Sequence, residues 1–391
     1  MKPLRIAWTV YCKELVDALR DRRTLLTVLV SSVLMGPAVL VAISTLVASL
    51  EAGAERREIY VSGIEAAPTL RNYIERQTYT VREAPRDYER RLRKAELAEP
   101  VVVVPADFEA ALRRGDAPVV EIVMDSANQR SQAGAARVER LLGGFNRERT
   151  AQMLALRAVS LDTLEPVQVE ERDLASSQTR ATQITGMLPY FVMMAVLYGA
   201  LNAALDTTAG ERERGSLEPL LMNPLARWVL VLGKWAAVAS VAMLIAVLSS
   251  LSFLPGQWAL RSDTLAAMFQ YGGREAGMFL VVLLPFAAAV SALLMAVAIR
   301  CRSFKEAQAS ATVVMLAASL LPLINVFSLG SEEPWYLWVP ALAQNVLMTH
   351  VLKGEALTPA QLVVPVAVCI VATVAGVWFV ARHLRHAAVR G

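Results

Sequence analysis

Histidine and cysteine are scarce in this chain. Among 391 residues there are three of each, and residues 51–182 contain neither. No pair of them has the spacing of zinc ligands, so we expect no metal site. A serine nucleophile in that long segment would have no histidine as its general base, which argues against a hydrolase there. The sequence therefore predicts no catalytic residues.

A phosphate-binding loop is also absent. The pattern G-x-x-x-x-G-K-[ST] does not occur, and "LGKW" at 232–235 has a Gly-Lys pair without the glycine loop or the hydroxyl residue. We therefore expect the chain to bind no cofactor and to hydrolyse no ATP by itself.

Charge is missing from six long apolar runs. The chain is 55% hydrophobic and 19% charged, which is typical of a membrane protein. A bilayer core about 30 Å thick needs about 20 apolar helical residues to cross it. The runs that meet this length without Asp, Glu, Lys, Arg or His are 24–50, 183–205, 236–254, 276–299, 307–329 and 362–381. Six transmembrane helices follow, because lipid leaves backbone groups no other partner.

Lysine and arginine indicate the orientation of these helices. Sixteen basic residues lie in the N-terminal segment, two alternate short loops and the tail, against three in the opposite short loops. By the positive-inside rule both termini are cytoplasmic. Residues 51–182 are then extracytoplasmic. They are long enough for a core of their own.

The segment 51–182 reads as a mixed α/β domain. "VVVVP" at 101–105 and "VVEIVM" at 119–124 are typical of buried strands. Residues 87–97 and 105–115 favour helices, the second ended by Gly115, and helical spacing continues from about 129 to 160.

The N-terminal residues predict an amphipathic helix at the cytoplasmic interface. Apolar residues recur at steps of three and four from Leu4 through Trp8, Tyr11 and Leu15 to Leu19. The candidate interfacial residues are Trp8, Tyr11, Leu15, Arg20, Arg22 and Arg23. A simple charged anchor for the first membrane helix is the alternative interpretation.

Residues 208–228, "TAGERERGSLEPLLMNPLARW", form a short loop with alternating charges and an oily run. Ser216 suits a helix N-cap, Glu218 suits the first turn, and Leu217, Leu220 and Leu221 share one face before Pro224 ends it. A protruding apolar face indicates a contact surface for a partner. The alternative is a loop that lies flat on the lipid surface. Its three glutamates argue against this, because the anionic lipids of the cytoplasmic leaflet would repel them.

These two stretches carry a family resemblance. "ERERGSLEPLLMNP" resembles the signature E-[RK]-E-x-G-[ST]-x-E-x-L-x-x-[ST]-P of type-2 ATP-binding-cassette exporter permeases, with Asn223 in place of Ser or Thr. "CKELVDALRDRRTLL" resembles the N-terminal helix of the same family, and the order of elements also agrees. Within the family, the chain is most like the sodium-extrusion, NatB-like branch.

The resemblance implies that ATP hydrolysis and transport are carried out by different subunits. A separate ATPase subunit, holding ATP and Mg, would dock on a coupling helix. The implied coupling residues are Glu211, Arg212, Glu213, Arg214, Gly215, Ser216, Leu217, Glu218, Leu220, Leu221 and Pro224. A second permease protomer, identical or different, would complete the pathway. The other partner is the lipid bilayer, and nucleic acid is not expected.

The fold class predicted is an all-α polytopic membrane domain with an inserted external α/β domain. The expected segments are an interfacial helix at 1–23, a first span at 24–50, the external domain at 51–182, five spans over 183–381 with the coupling loop at 207–228, and a tail at 382–391.

Few polar groups are candidates for lining a pathway. The candidates are Asn202, Asp206, Glu306 and Asn325, and no carboxylate lies in the middle of a span, so a dedicated cation site is poorly supported. Trp335, Tyr336 and Trp338 predict an aromatic belt at the outer interface.

The substrate class stays open between sodium, a drug, a lipid or another hydrophobic compound. The alternative function is a receptor or mechanotransmission protein whose external domain is moved by the same ATPase without transport. An intramembrane enzyme is disfavoured because no catalytic set exists.

Overall fold

The computed structural model describes residues 3–390 apart from 21, 56, 160–171, 173–174, 217–225 and 328–331. The chain divides into two compact units. One comprises Met1–Leu46 and Ala175–Gly391, and we call it the helical unit. The other, Val47–Leu174, we call the α/β unit.

Helices of six to 34 residues make up the helical unit. They are α1 (Pro3–Arg20), α2 (Arg22–Glu55), α7 (Ser177–Thr185), α8 (Leu188–Leu205), α9 (Arg227–Gly256), α10 (Asp263–Met268), α11 (Gly273–Ala298), α12 (Phe304–Phe327), α13 (Leu342–Leu352) and α14 (Pro359–Arg390). Helix α2 continues past Leu46 into the α/β unit. A π-helical turn, Asp206–Gly210, and a helical turn, Glu211–Glu213, extend α8. A 3₁₀ helix, Pro334–Trp338, precedes α13.

Five helical stretches within the described residues are long and apolar enough to cross a bilayer. They are Leu188–Glu213, Arg227–Ala259, Gly273–Ala298, Phe304–Asn325 and Pro359–Leu384. Each overlaps a predicted span. In α2 the qualifying described stretch, Val33–Ser49, is shorter, so the count of six remains a prediction.

Helix α11 is central to the packing of the helical unit, because it contacts α8, α9, α12, α13 and α14. Its buried side chains Phe279, Leu283 and Phe286 join one core with Leu197 of α8. Helix α1 lies along α9. The two approach closely at Gly233, where any side chain would meet the Ala7 carbonyl oxygen at 2.8 Å.

The α/β unit contains one four-stranded sheet. Its elements are β1 (Glu58–Ser62), α3 (Pro68–Arg76), β2 (Thr80–Glu83), α4 (Tyr88–Arg93), β3 (Val101–Val103), α5 (Phe108–Arg114), β4 (Glu121–Val123) and α6 (Gln129–Leu156). The strand order is β2-β1-β3-β4. The first three are parallel, with Val61 opposite Val102, and β4 is antiparallel to β3.

The strands predicted from the two valine-rich runs are confirmed as β3 and β4. The helix ending predicted at Gly115 is also confirmed, since Gly115 adopts the left-handed conformation with φ of 86°. Strands β1 and β2 and helix α3 were not predicted. Their core contacts, such as Val61 and Leu70, form one cluster with Phe108 and Phe145.

Candidate functional site

The end of α8 widens into a π-helical turn before the charged motif begins. Thr207 and Thr208 each return their hydroxyl to a backbone carbonyl one turn earlier, Ala203 at 2.8 Å and Ala204 at 2.5 Å. Such single-turn bulges occur frequently at functional sites. The turn brings Glu211, the first residue of "ERER", inside the bundle, where it is 6% exposed.

Glu211 lies in a buried group of four charges from three helices, which we call the ion cluster. The Lys234 ammonium of α9 donates to Glu211 Oε2 at 2.5 Å and to Glu14 Oε1 of α1 at 2.9 Å. Lys13 Nζ lies 3.2 Å from Glu211 Oε1 and 3.1 Å from Glu14 Oε1. Lys234 also donates to the Thr207 carbonyl at 3.3 Å. The exposed Asp17 carboxylate also lies 3.5 Å from Lys13 Nζ, at the outer edge of this group.

The burial of Glu14 and Lys234 makes their contacts important for the stability of the fold. Glu14 and Lys234 are each 3% exposed. A charge left unpaired at such a site costs several kcal/mol. Removing one member of a buried ion pair therefore destabilises the folded state more than replacing both members by apolar residues. Burial opposes the charge on the more exposed Lys13, but its hydrogen bond to Glu14 and its attraction to both carboxylates raise its pKa above the ordinary range. The ion cluster thus fastens the start of the charged motif to α1 and α9.

The next two residues of the motif reach the turn between α11 and α12. Arg212 Nη1 donates to the Cys301 carbonyl at 2.7 Å, and Glu213 Oε2 accepts from the Phe304 amide at 2.8 Å. Phe304 is the first residue of α12, whose free amides need acceptors, and Glu213 supplies one. Arg214 turns back to the Asp206 carbonyl at 3.3 Å. Three of the four alternating charges thus connect the loop base to α1, α9 and the turn between α11 and α12, whereas Arg214 contacts the loop base itself.

The motif then turns at Gly215, whose φ is 68°. Ser216 donates its hydroxyl to the Glu211 carbonyl at 3.2 Å. The remaining predicted coupling residues, Leu217, Glu218, Leu220, Leu221 and Pro224, lie outside the described residues, so the coupling helix itself stays a prediction.

Helix α1 presents two faces. Of the predicted interfacial residues, Trp8 is 64% exposed, Leu15 is half-buried, and Tyr11 accepts from Ser240 Oγ at 3.3 Å. Arg20 is exposed, and the side chains of Arg22 and Arg23 are outside the described part. Ala7 and Glu14 form the other face and are buried.

The candidate pathway residues lie near helix ends, with Glu306 and Asn325 at opposite ends of α12. Asn202 donates to the Tyr198 carbonyl of its own helix, and Asp206 lies in the π-helical turn. Glu306 accepts from the Arg302 amide at the start of α12, whereas Asn325 contacts Asn345 near its end. At 1.5 Å per residue, Glu306 and Asn325 are about 28 Å apart along the helix. In the predicted aromatic belt, Trp335 and Trp338 are exposed but Tyr336 is buried.

Sequence reasoning missed Glu14 and Lys234. A signal for Lys234 exists, because a lysine directly before a long uncharged run needs a partner if it enters the bundle. Glu14 follows Ala7 and Tyr11 at steps of four and three, which places it on one helical face with them.

Five apolar helical stretches among the described residues and a charged loop base held inside the helical unit are features of a polytopic membrane protein. The sequence profile described as ABC-2 family transporter protein matches residues 8–383. The chain belongs to this family and is an ABC transporter permease, so the predicted resemblance is confirmed. It is 26% identical over 363 residues to the ABC transporter permease protein NatB of Bacillus subtilis (strain 168), covering 88% of this chain and 89% of that protein.

Proposed function

We propose that this permease is the transmembrane subunit of an exporter and that a separate ATPase subunit, which holds ATP and Mg, docks on residues 207–228. The observation that carries the proposal is the fastening of the loop base: Glu211 contacts α1 and α9, while Arg212 and Glu213 contact the α11–α12 turn. A shift of the loop would therefore move several helices together.

A rigid connection is what such coupling requires. Domain rearrangements proceed through packed, discrete arrangements rather than through freely deforming segments. The ion cluster has short contacts and low exposure, so a displacement of Glu211 would either carry Lys234 and Glu14 with it or separate buried charges. Separation is disfavoured by several kcal/mol.

The proposed assembly has two permeases and two ATPases in a bacterial inner membrane. Each permease, like or unlike its partner, would have six spans, with both termini and the ion cluster on the cytoplasmic side. Residues 51–182 would form the extracytoplasmic domain. The exported compound belongs to one of the classes open from the sequence: sodium, a drug, a lipid or another hydrophobic compound.

The test is partner retention by loop variants. Leu217→Asp and Leu220→Asp should each lose the cognate ATPase in a pull-down, because a carboxylate buried without a partner costs several kcal/mol. Membrane yield should persist, and Leu156→Asp is the matched control, since Leu156 is 89% exposed in the α/β unit.

Retention of the ATPase at wild-type levels by both loop variants would rule out the docking assignment. Stimulation of the assembled ATPase by candidate substrates, followed by a flux measurement, then separates an exporter from a protein that only moves its external domain.

A further inference from the structure

A groove of about 690 Å³ separates the first turns of α9 from the last turns of α14. Three tryptophans line it, Trp228 and Trp235 from α9 and Trp378 from α14, together with Val374 and Arg382. The volume is within the range of small-molecule sites, about 300–1,000 Å³. Trp228, Val374 and Trp378 are 42%, 63% and 59% exposed, so the groove opens away from the bundle.

The polar groups of the groove are donors and a cation. The Arg382 guanidinium lies over the Trp378 ring at 5.3 Å and forms no ion pair within the described part of the chain. Trp235 Nε1 donates to the Ala288 carbonyl at 3.0 Å. Among the described residues, the indole N–H groups of Trp228 and Trp378 have no acceptor. None of the described residues that line the groove is acidic.

The groove is polar at one end and apolar farther along the helices. Trp228 lies in the first turn of α9, and Arg382 lies about two turns before the end of α14. Both are on the side of the bundle that holds the ion cluster, since Lys234 is adjacent to Trp235. Val374 lies two turns deeper along α14, about 12 Å from Arg382 at 1.5 Å per residue. Arginine and tryptophan side chains favour contact with lipid headgroups, and the apolar part of the groove at Val374 suits an acyl chain. Together they match the polar and the apolar part of a phospholipid.

We propose that this groove binds an anionic phospholipid from the leaflet on the ion-cluster side. The headgroup phosphate lies at Arg382 and accepts from the free indole N–H groups, and an acyl chain follows Val374 between α9 and α14. A symmetric contact between two copies fits less well, because it would bury Arg382 of each copy with no acid in the groove to pair it.

The test uses the purified, delipidated full chain in detergent. Phosphatidylglycerol and phosphatidylcholine with the same acyl chains are titrated and followed by native mass spectrometry and melting temperature, because a ligand that binds only the folded state raises it. Phosphatidylglycerol should bind more tightly. Arg382→Gln should weaken it about fivefold and leave phosphatidylcholine unchanged, since a basic residue near an anionic surface contributes about that factor.

Two further variants make the result specific. Arg300→Gln removes an exposed arginine from the same end of the bundle and should leave both affinities unchanged. Val374→Trp fills the groove from an exposed position and should abolish specific binding of both lipids. Equal binding of the two lipids, equal effects of Arg382→Gln and Arg300→Gln, or full binding by Val374→Trp would each overturn the proposal. Loss of dimer on Val374→Trp would assign the groove to a second copy instead.

Discussion

Two ion pairs, one in each unit, have the same length but differ in how far their side chains are exposed. Arg71 and Glu75 of the α/β unit lie 2.9 Å apart with side chains 54% and 51% exposed. Lys234 and Glu14 of the helical unit also lie 2.9 Å apart, with side chains 3% and 4% exposed. Water screens the first pair and not the second, so geometry alone says little about the importance of an ion pair.

The difference bears on function. Exposed pairs such as that of the α/β unit contribute little stability, because water can solvate a partner that is left alone. Glu14, Glu211 and Lys234 of the ion cluster are buried, so losing one of them leaves a charge that water solvates poorly. A third group, at His350, is intermediate in burial and can titrate. Variants of these groups should therefore form a graded series.

The largest effect is expected from Lys234→Met. Glu14 and Glu211 would keep only the half-exposed Lys13, so the folded state should lose about 3–5 kcal/mol. The melting temperature in detergent measures this. Lys305→Met, at an exposed position, is the matched control. If Lys234→Met melts with the wild type, the ion cluster does not hold the loop base in place.

A smaller effect is expected from Glu213→Ala. The Phe304 amide would lose its acceptor, and the cost should be about 1 kcal/mol, as for other helix caps. Hydrogen exchange at the first turn of α12 should accelerate. Glu213→Gln keeps an acceptor oxygen and should change exchange less. Unchanged exchange in the alanine variant would argue against a cap.

The His350 group should make stability depend on pH. His350 Nε2 lies 2.6 Å from Glu332 Oε2, and Nδ1 contacts Glu355. Both ring nitrogens can donate only when the ring is charged. The hydrogen bond to Glu332 raises the pKa of His350 above 6.5, although burial opposes it, and the bond to His350 lowers the pKa of Glu332.

The sign follows from these two shifts. The His350 contribution is complete below the unfolded pKa of about 6.5 and is lost as pH rises through the higher folded value. His350→Gln should therefore lower the melting temperature more at about pH 6 than at about pH 9. Lys353 also faces Glu332 and helps to lower its pKa. An equal loss at both pH values would mean that the role of His350 is packing.

The smallest effect is expected from Glu75→Ala. With both partners about half exposed, the loss should be at most about 1 kcal/mol and should vanish in high salt. Its melting temperature is compared with that of the wild type at two ionic strengths. A loss as large as that of Lys234→Met would remove the contrast between the two units.

Much of the fold could be predicted because its signals are local. Uncharged runs predicted the spans, valine runs predicted β3 and β4, and Gly115 predicted the end of α5. Strands β1 and β2 are longer than β3 and β4 but lack such runs. Their pairing in the sheet, with Val61 opposite Val102, involves residues about 40 positions apart and has no local pattern.

The charged motif also has some features that the local sequence predicts and others that depend on distant residues. Its residues identified the family and indicated that the loop matters, because charge beside an apolar run is visible in any window. Only the tertiary structure decided that Glu211 enters the bundle and that Lys234 joins it to Glu14, 220 positions away. The reason is electrostatic: whether a charge is solvated or buried depends on what surrounds it in space. Local spacing can place Glu14 on one face of α1, but it does not show which charges of other helices lie against that face.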